Sequence, residues 1–327
     1  MRKIYYRDAV REALDEEMAR DPMVMMIGED VGPNGGTWKA NAGLWEKYGD
    51  LRMKDSPISE SGFVGMCVGM ALTGMRPIAE VMFSDFMLVA MDQIVNQMAK
   101  ITYMSGGQRP VPMVLRTTIG LGRASAAQHS QSLNSIISYF PGLKVVVPSD
   151  AYTAKGLLKS AIRDNSPVVV VVEHRMQYSQ QFDMPDDADE NLLIPIGKAA
   201  VVREGTDLTI VATSNMVGKS LTVAKHMEKE GVSIEVIDPR TIKPLDKETI
   251  IRSVKKTGKL LVVDEGFTSY GISGEIGYSI MPEVFYDLEA PMMRCCAPDV
   301  PLPFSPVLEK LVVPNENMIL DAVKKLL

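Results

Sequence analysis

The sequence LKVVVPSDAYTAKGLLKSAIRDNSPVVVVVEH, residues 143–174, decides the fold. It opens with a short apolar run, continues with helical spacing over residues 150–164, and closes on five consecutive valines before its final acid and histidine. Strands that are apolar throughout lie inside parallel sheets, whereas strands with one solvated face alternate apolar and polar residues. A strand, a helix and a second buried strand therefore predict a right-handed βαβ unit.

The same pattern recurs later in the chain. In residues 207–239 the segments DLTIVATS, NMVGKSLTVAKHMEKEG and VSIEVIDP again read as strand, helix and strand. Between the two units, residues 186–198 carry acidic residues and a proline without apolar periodicity, which is typical of a linker. The sequence therefore predicts an α/β protein with two three-layered α/β/α domains, at 1–185 and 199–327.

Length and composition exclude several function classes. A chain of 327 residues suits two domains, and its net charge of −6 disfavours nucleic-acid binding. No apolar run reaches the ~18 residues that a membrane-spanning helix needs, so no membrane partner is expected. Three histidines without metal-ligand spacing disfavour a zinc site. Three cysteines without a CxxC pair favour a reducing compartment, so a cytoplasmic location is expected.

The segment PISESGFVGMCVGMALTG, residues 57–74, places one acid at the start of an apolar helix. Ser59 is a candidate N-cap, and the helix dipole favours a carboxylate such as Glu60 in the first turn. Each glycine costs ~1 kcal/mol relative to alanine, so glycines on one face indicate close approach by another backbone or helix. A carboxylate there would be partly desolvated, with a raised pKa suited to sharing a proton. The pattern supports capping and proton sharing equally. The glycines of that face are Gly62, Gly65 and Gly69.

A second candidate lies in TIGLGRASAAQHSQS, residues 118–132, after the apolar strand VPMVLRT. Open α/β sheets bind their ligands at the carboxyl ends of strands. A single histidine is often structural, but the small neighbours of His129 offer little bulk to bury an imidazole, which favours an active-site role. His174, at the end of the valine run, could line the same edge. His226 is expected on a solvated helix face.

Residues 84–100, SDFMLVAMDQIVNQMAK, are predicted to form one helix. Phe86 suits either the core or a ring on which a flat ligand stacks. Asp92 and Asn96 are spaced i, i+4 on an otherwise apolar helix, so we expect them at a buried, hydrogen-bonded subunit contact.

Together these segments resemble the β subunit of the thiamine-diphosphate-dependent dehydrogenase component of 2-oxo acid dehydrogenase complexes. That family includes pyruvate, branched-chain 2-oxo acid and acetoin enzymes and is related to transketolase. The motifs occur in the family's order along the whole chain, as GEDVG, PISESGFVGMCVGMALTGMRPIAE, MDQIVNQMAK, AAQHSQS, PGLKVVVPSDAYTAKGLLKSAIRDNSPVV, IPIGKA and DPRTIKPLD. The resemblance implies a thiamine-diphosphate pyrimidine-binding domain followed by a transketolase C-terminal-like domain.

The resemblance also implies roles for individual residues. Glu60 matches the glutamate that hydrogen-bonds the pyrimidine nitrogen of the cofactor and so helps to generate its nucleophilic carbon. Phe86 matches the ring that stacks on the pyrimidine, and Glu29 matches an acid near the cofactor at the subunit contact. His129 matches a histidine that assists acyl transfer. The implied reaction converts a 2-oxo acid or acetoin through a carbanion/enamine intermediate and passes the acyl group to a lipoyl group.

An absent motif implies a partner. The family's diphosphate-binding motif, GDG followed by a distant asparagine, does not occur in the sequence. The resemblance therefore implies that a separate α subunit binds magnesium and the diphosphate, with the cofactor shared between chains of an α₂β₂ heterotetramer. The other implied partner is a lipoyl-bearing dihydrolipoamide acyltransferase.

Some members of the family hold a structural potassium ion, and the resemblance implies the corresponding ligands here. The residues that match are Met113, Ala161, Ile162, Asp164 and Ser166. Two alternative functions remain at this point, a self-contained transketolase-like transferase and a noncatalytic scaffold subunit. The sequence leaves the substrate open among pyruvate, branched-chain 2-oxo acids and acetoin.

Overall fold

The computed structural model describes residues 1–165 and 168–327. Contacts divide the chain into two compact units, of which the first comprises Met1–Ile119 and Ile136–Ile196 and the second Gly120–Ser135 and Gly197–Leu327. Segment 120–135 thus makes its contacts within the second unit, although it interrupts the first unit in sequence. The predicted boundaries, with a linker at 186–198, do not include this excursion.

Six strands of the first unit form a parallel sheet, and two more form an antiparallel ribbon. The sheet strands are β2 (Val24–Gly28), β3 (Met53–Asp55), β4 (Arg76–Val81), β5 (Val114–Ile119), β6 (Leu143–Val146) and β7 (Val168–His174). The ribbon strands are β1 (Arg2–Tyr5) and β8 (Gln181–Met184). The order β6-β7-β5-β4-β2-β3 makes β6 and β7 parallel neighbours, as the opening βαβ pattern predicts.

The helices of the first unit cover its sheet. They are α1 (Tyr6–Arg20), α2 (Leu44–Tyr48), α3 (Glu60–Leu72), α4 (Ile101–Met104), α5 (Asn134–Tyr139) and α6 (Ala151–Arg163). Helix α6 begins at a capping box, in which the Asp150 side chain accepts the main-chain N–H of Thr153. It packs on α1 through apolar residues and through Lys155, whose ammonium lies 2.7 Å from a carboxylate oxygen of Glu16.

The single helix predicted over residues 84–100 is wrong in its geometry. Ser84–Ala90 is a 3₁₀ helix and Gln93–Met98 a π helix, with Arg175–Ser179 a further 3₁₀ turn elsewhere. The wide turn is closed by the N–H of Ala99, which donates to the carbonyl of Ile94 five residues earlier at 3.0 Å. Such π turns are frequent at functional sites and leave no signature in apolar spacing.

The second unit contains a five-stranded sheet in which one edge strand is antiparallel. Its strands are β9 (Ala200–Arg203), β10 (Leu208–Ala212), β11 (Ile234–Asp238), β13 (Leu260–Phe267) and β14 (Met293–Ala297), and the short strand β12 (Thr241–Lys243) lies between β11 and β13 in sequence. Its helices are α7 (Met216–Glu228), α8 (Lys247–Thr257), α9 (Ile272–Val284), α10 (Pro306–Val312) and α11 (Glu316–Leu326). The order β14-β13-β10-β11-β9 is that of an open, doubly wound sheet.

Each sheet has a point where the direction of winding reverses. In the first unit the reversal lies between β2 and β4, and in the second between β10 and β13. Each unit has its own apolar core against its sheet. The crevices outside the carboxyl ends at these reversals are where open α/β sheets bind ligands. No helix within residues 1–165 and 168–327 is long and apolar enough to cross a membrane.

Candidate active site

Glu29 lies at the winding reversal of the first unit, directly after β2. Gly28 before it pairs with Glu80, and a Cβ at Gly28 would lie 2.6 Å from the Glu80 carbonyl oxygen, so the close approach requires glycine. Glu29 is 8% exposed, and its Oε1 has no hydrogen-bond partner in the described part of the chain. Burial raises the pKa of Glu29, and repulsion from Glu60 and Asp30 raises it further.

Glu60 begins α3 at the same edge and is 6% exposed. Ser59 occupies the N-cap position but makes no side-chain cap, because its hydroxyl donates to the Pro57 carbonyl at 3.2 Å. The Ser59 side chain therefore does not cap the helix, contrary to the prediction. Glu60 lies in the first turn, as predicted. Two buried acids that repel each other, one with an unpartnered oxygen, suit a ligand that donates hydrogen bonds or carries positive charge.

The predicted close approach along α3 is made inside the chain at one glycine. A Cβ at Gly65 would lie 3.2 Å from Cγ of Gln93 on the π helix. A Cβ at Gly69 would meet no described atom within 4 Å, and Met66 on the same exposed side is 44% exposed. Much of this glycine face is therefore open in the isolated chain.

Phe86 lies in the 3₁₀ helix that follows β4, at the carboxyl edge of the sheet. Its ring is half-buried and meets that of Phe83 edge to face, with centroids 5.8 Å apart. Trp38 packs on Phe83 in the same way at 6.0 Å. Asp92 and Asn96 are hydrogen-bonded at 2.7 Å, as the i, i+4 spacing predicts, but both are exposed in this chain rather than buried.

His129 lies in segment 120–135 and is half-buried. Glu29, Glu60 and Phe86 belong to the first unit, whereas His129 belongs to the second. The other two histidines are now placed as well. His174 ends β7 and is buried, with Nδ1 accepting the N–H of Met176 at 3.3 Å. His226 is exposed on α7, as predicted, 3.2 Å from Glu230.

Comparison with known proteins identifies the family. Residues 2–181 match the transketolase pyrimidine-binding domain, and residues 197–319 match the transketolase C-terminal domain. The human mitochondrial pyruvate dehydrogenase E1 component subunit beta is 46% identical over 327 residues, which cover 99% of this chain and 91% of that protein. The chain belongs to the family of pyruvate and acetoin dehydrogenase β subunits. This confirms the predicted family and fold class.

Two further proteins are similar to this chain over nearly its whole length. Acetoin:2,6-dichlorophenolindophenol oxidoreductase subunit beta of Cupriavidus necator is 44% identical over 334 residues, covering 99% of this chain and 97% of that protein. A solved structure of a split-gene transketolase, an inactive β4 tetramer, superposes with a TM-score of 0.77 over 99% of this chain and 98% of its own. At 23% sequence identity, this structural similarity supports the fold alone. The dehydrogenase β-subunit function is thereby confirmed ahead of the transferase and scaffold alternatives.

The sheet of the first unit contains a buried charge network that was not predicted from the sequence. Arg116 on β5 bonds Glu80 on β4 and Glu173 on β7, the latter at 2.6 Å, and Tyr178 accepts a third bond at 2.7 Å. Burial would lower the pKa of Arg116, but Glu173, Tyr178 and Glu80 raise it above its usual range. Three lone charges within apolar strands are the sequence signal that could have found this network.

The residues that match a potassium site lie near the end of α6, apart from Met113, which immediately precedes β5. The guanidinium of Arg76 donates to the carbonyls of Ile162 and Asp164, each at 2.9 Å. Lys144 bonds the carboxylate of Asp164 at 2.6 Å, and the Ala161 carbonyl accepts the N–H of Asp164. Ser166 lies outside the described residues.

The second unit contains a cavity of 370 Å³ that is lined in part by the segment in which His129 lies. Ala127 and Gln131 of the His129 segment form one side of it. Ser269 also lines the cavity, and its N–H and hydroxyl both donate to Asp299. Its remaining walls are apolar and comprise Phe267, Val300, Pro301 and Leu302. The cavity has the concave, largely apolar lining with a few polar groups that is usual for small-molecule sites in proteins.

Proposed function

We propose that this chain is the β subunit of a thiamine-diphosphate-dependent enzyme that oxidises pyruvate, another 2-oxo acid or acetoin, and that Glu60 is its central cofactor-binding residue. The observation that carries the proposal is the pair of buried acids, Glu29 and Glu60, at the winding reversal of a pyrimidine-binding domain. When bound, thiamine diphosphate supplies a carbon nucleophile that adds to the substrate carbonyl.

The side chains of the first unit suit an aminopyrimidine. Glu60, in the first turn of α3, would hold a proton against a ring nitrogen, because a desolvated carboxylate shares a hydrogen bond without competition from water. The unpartnered Oε1 of Glu29 offers an acceptor beside it. Phe86, half-buried beside Phe83, offers an aromatic face for stacking and would exclude water from one side.

We propose that a separate α subunit completes the site in a heterotetramer. The chain lacks the family's GDG motif, so magnesium and the diphosphate would be bound by the α subunit. The exposed glycine face of α3 supports this arrangement, since the open space at Gly69 allows a partner helix to approach closely. The exposed pair Asp92 and Asn96 would be covered by the same association.

We propose that the acyl acceptor is a lipoyl group carried by a dihydrolipoamide acyltransferase, and that His129 assists the transfer. An imidazole can exchange protons near neutral pH, which a dithiolane acceptor requires when its S–S bond opens. The largely apolar cavity lined by Ala127 and Gln131 of the same segment is of a kind that could receive an aliphatic chain.

A reconstituted assembly tests the proposal. The chain is purified with a candidate α subunit, and turnover of pyruvate, branched-chain 2-oxo acids and acetoin is followed with an artificial electron acceptor. Glu60→Gln should lower turnover by about 10²–10⁴-fold, because an amide cannot exchange the proton. The matched control is Glu46→Gln, an exposed acid in the first turn of α2. Near-normal turnover of Glu60→Gln would contradict the catalytic role.

The alternative of a self-contained transferase predicts a different result in a simpler experiment. Isothermal titration of the full chain alone with thiamine diphosphate and magnesium should show no binding, because the diphosphate site lies on the α subunit. Binding at micromolar affinity by the isolated chain would favour the transferase.

We also propose a potassium ion at the end of α6. Backbone carbonyls and the Asp164 carboxylate are the oxygen donors that hard cations prefer. Arg76 and Lys144 already contact these oxygens, so the ion would have to share them. Potassium chloride should raise the melting temperature of the chain above its value in choline chloride at equal ionic strength, and Asp164→Asn should abolish the difference.

A further inference from the structure

We infer that Glu265 and Glu309 are positioning residues that hold the His129 segment on the second unit; their catalytic consequence rests on the proposed role of His129. Both acids lie far from the segment in sequence, Glu265 on β13 and Glu309 on α10.

Three main-chain N–H groups at the start of the segment point at these two carboxylates. Leu121 donates to Oε1 of Glu265 at 2.5 Å. Gly122 donates to Oε1 of Glu309 at 2.8 Å, and Ala124 donates to its Oε2 at 3.0 Å. Hydrogen bonds to an ionised acceptor are roughly twice as strong as neutral ones. Both carboxylate oxygens of Glu309 therefore bind the segment, at Gly122 and Ala124. Glu265 binds it at Leu121.

On helix α10 an acidic side chain is buried and apolar side chains are exposed, which is the opposite of the usual amphipathic pattern. Glu309 is 4% exposed, whereas Val307 and Leu311 are about as open to solvent as surface polar residues, at 72% and 69%. A buried carboxylate is costly unless hydrogen bonds satisfy it. The inward position of Glu309 is therefore explained by the N–H groups of the segment and not by packing of an apolar helix face.

Glu265 lies at the winding reversal of the second sheet. Its neighbour Asp264 accepts the hydroxyl of Thr213 across the junction of β13 and β10. Open α/β sheets bind ligands in this crevice, and here the main chain of Leu121 reaches it instead. The second unit thus uses its ligand-binding edge to hold a segment of its own chain.

The segment is strained where it is held. Ala124 and Ala126 adopt left-handed backbone angles, with φ of 51° and 62°. Such angles are strained for non-glycine residues and persist when surrounding contacts over-determine them. His129 follows three residues after Ala126, so loss of the carboxylate contacts would relax the backbone that sets the direction of the imidazole.

Limited proteolysis of the full chain tests the anchoring directly. Trypsin cleavage after the exposed Arg123 gives fragments 1–123 and 124–327, which mass spectrometry identifies. Glu309→Ala should raise the rate of this cleavage about tenfold or more, because it frees both flanking N–H groups. Glu309→Gln should have a smaller effect, since its amide keeps one acceptor oxygen, and Glu265→Gln should resemble it. Glu283→Gln, an exposed acid on α9, is the matched control.

Turnover of the reconstituted assembly tests the consequence. With the fold intact by circular dichroism, Glu309→Gln should lower kcat by about tenfold with little change in KM, because the misplaced group acts after substrate binds. Cleavage at the wild-type rate in Glu309→Ala, or in Glu309→Gln if the alanine variant does not fold, overturns the anchoring. Faster cleavage with unchanged kcat overturns the positioning role while the proposed function stands. If the wild-type assembly is inactive, the proposed function fails and the cleavage rates still decide the anchoring.

Discussion

Replacement of Arg116 by methionine should be among the most destabilising single changes in the first unit. Arg116 is 2% exposed and is the cation between two buried acids, Glu80 and Glu173. Methionine keeps the apolar stem but leaves both carboxylates without their counter-charge. Breaking a buried ion pair by removing one partner costs about 3–5 kcal/mol. For a unit of this size, 1 kcal/mol corresponds to about 2–4 °C, so the melting temperature should fall by ~6–20 °C.

The assay is differential scanning calorimetry of the full chain, with far-UV circular dichroism to confirm folding before heating. Arg2→Met is the matched control, because Arg2 pairs with Glu12 at 2.6 Å on the surface of the same unit. Exposed pairs contribute about 0–1 kcal/mol, so this variant should melt near the wild-type temperature.

A compensating variant separates loss of charge balance from loss of packing. Burial raises the pKa of Glu173 despite the opposing effects of Arg116 and Tyr178. Adding Glu80→Gln and Glu173→Gln to Arg116→Met removes both uncompensated charges and should recover at least half of the lost melting temperature. The reasoning is refuted if Arg116→Met melts within 2 °C of Arg2→Met.

Three further perturbations have defined outcomes. Gly142→Ala should lower the free energy of unfolding, measured by thermal denaturation, by about 2–6 kcal/mol. Its φ is +94°, and the new Cβ would lie 1.9 Å from the Ala99 carbonyl oxygen. The control is Gly74→Ala, which has a φ of +98° but open space around the new Cβ, so it should cost only the backbone strain. Glu29→Gln should melt above the wild type at pH 7 and level with it below pH 4, because a carboxyl whose pKa is raised on folding loses stability as pH rises through its unfolded value of about 4.5; a constant difference across pH would contradict this. Asp246→Ala should cost about 1 kcal/mol at pH 7 by removing the cap of α8. Burial would raise the pKa of Asp246, but N–H bonds lower it overall, so its contribution, and with it the cost of the variant, should fade as pH drops below 3.8.

Apolar patterning in the sequence was sufficient to predict the buried strands and their order within each βαβ unit. Helix α6, Ala151–Arg163, lies within the helical spacing predicted over residues 150–164. These features depend on residues close together in the chain. The π turn at Gln93–Met98 could not be predicted, because a π turn leaves no signature in apolar spacing.

The site was predictable to a lesser extent. The roles of Glu29, Glu60, Phe86 and His129 stay predictions that rest on resemblance, although the first three lie at one edge of the same sheet. Glu309 escaped prediction because 187 residues separate it from Gly122, and an acid within an apolar helix resembles an ordinary solvated charge. The contacts that place the His129 segment are long-range, and local patterns carry no information about them.

Because segment 120–135 belongs to the second unit, it cannot dock early during synthesis. A chain emerging from the ribosome folds its N-terminal portion first. Residues 120–135 therefore leave the ribosome well before Glu265 and Glu309 exist. The first unit can fold once the chain has been made as far as Ile196. The His129 segment, by contrast, stays undocked until Glu265 and Glu309 have been made, near the end of synthesis. A protein in which the chain is cut at the linker would separate that segment from its docking site, so the two halves are not interchangeable modules.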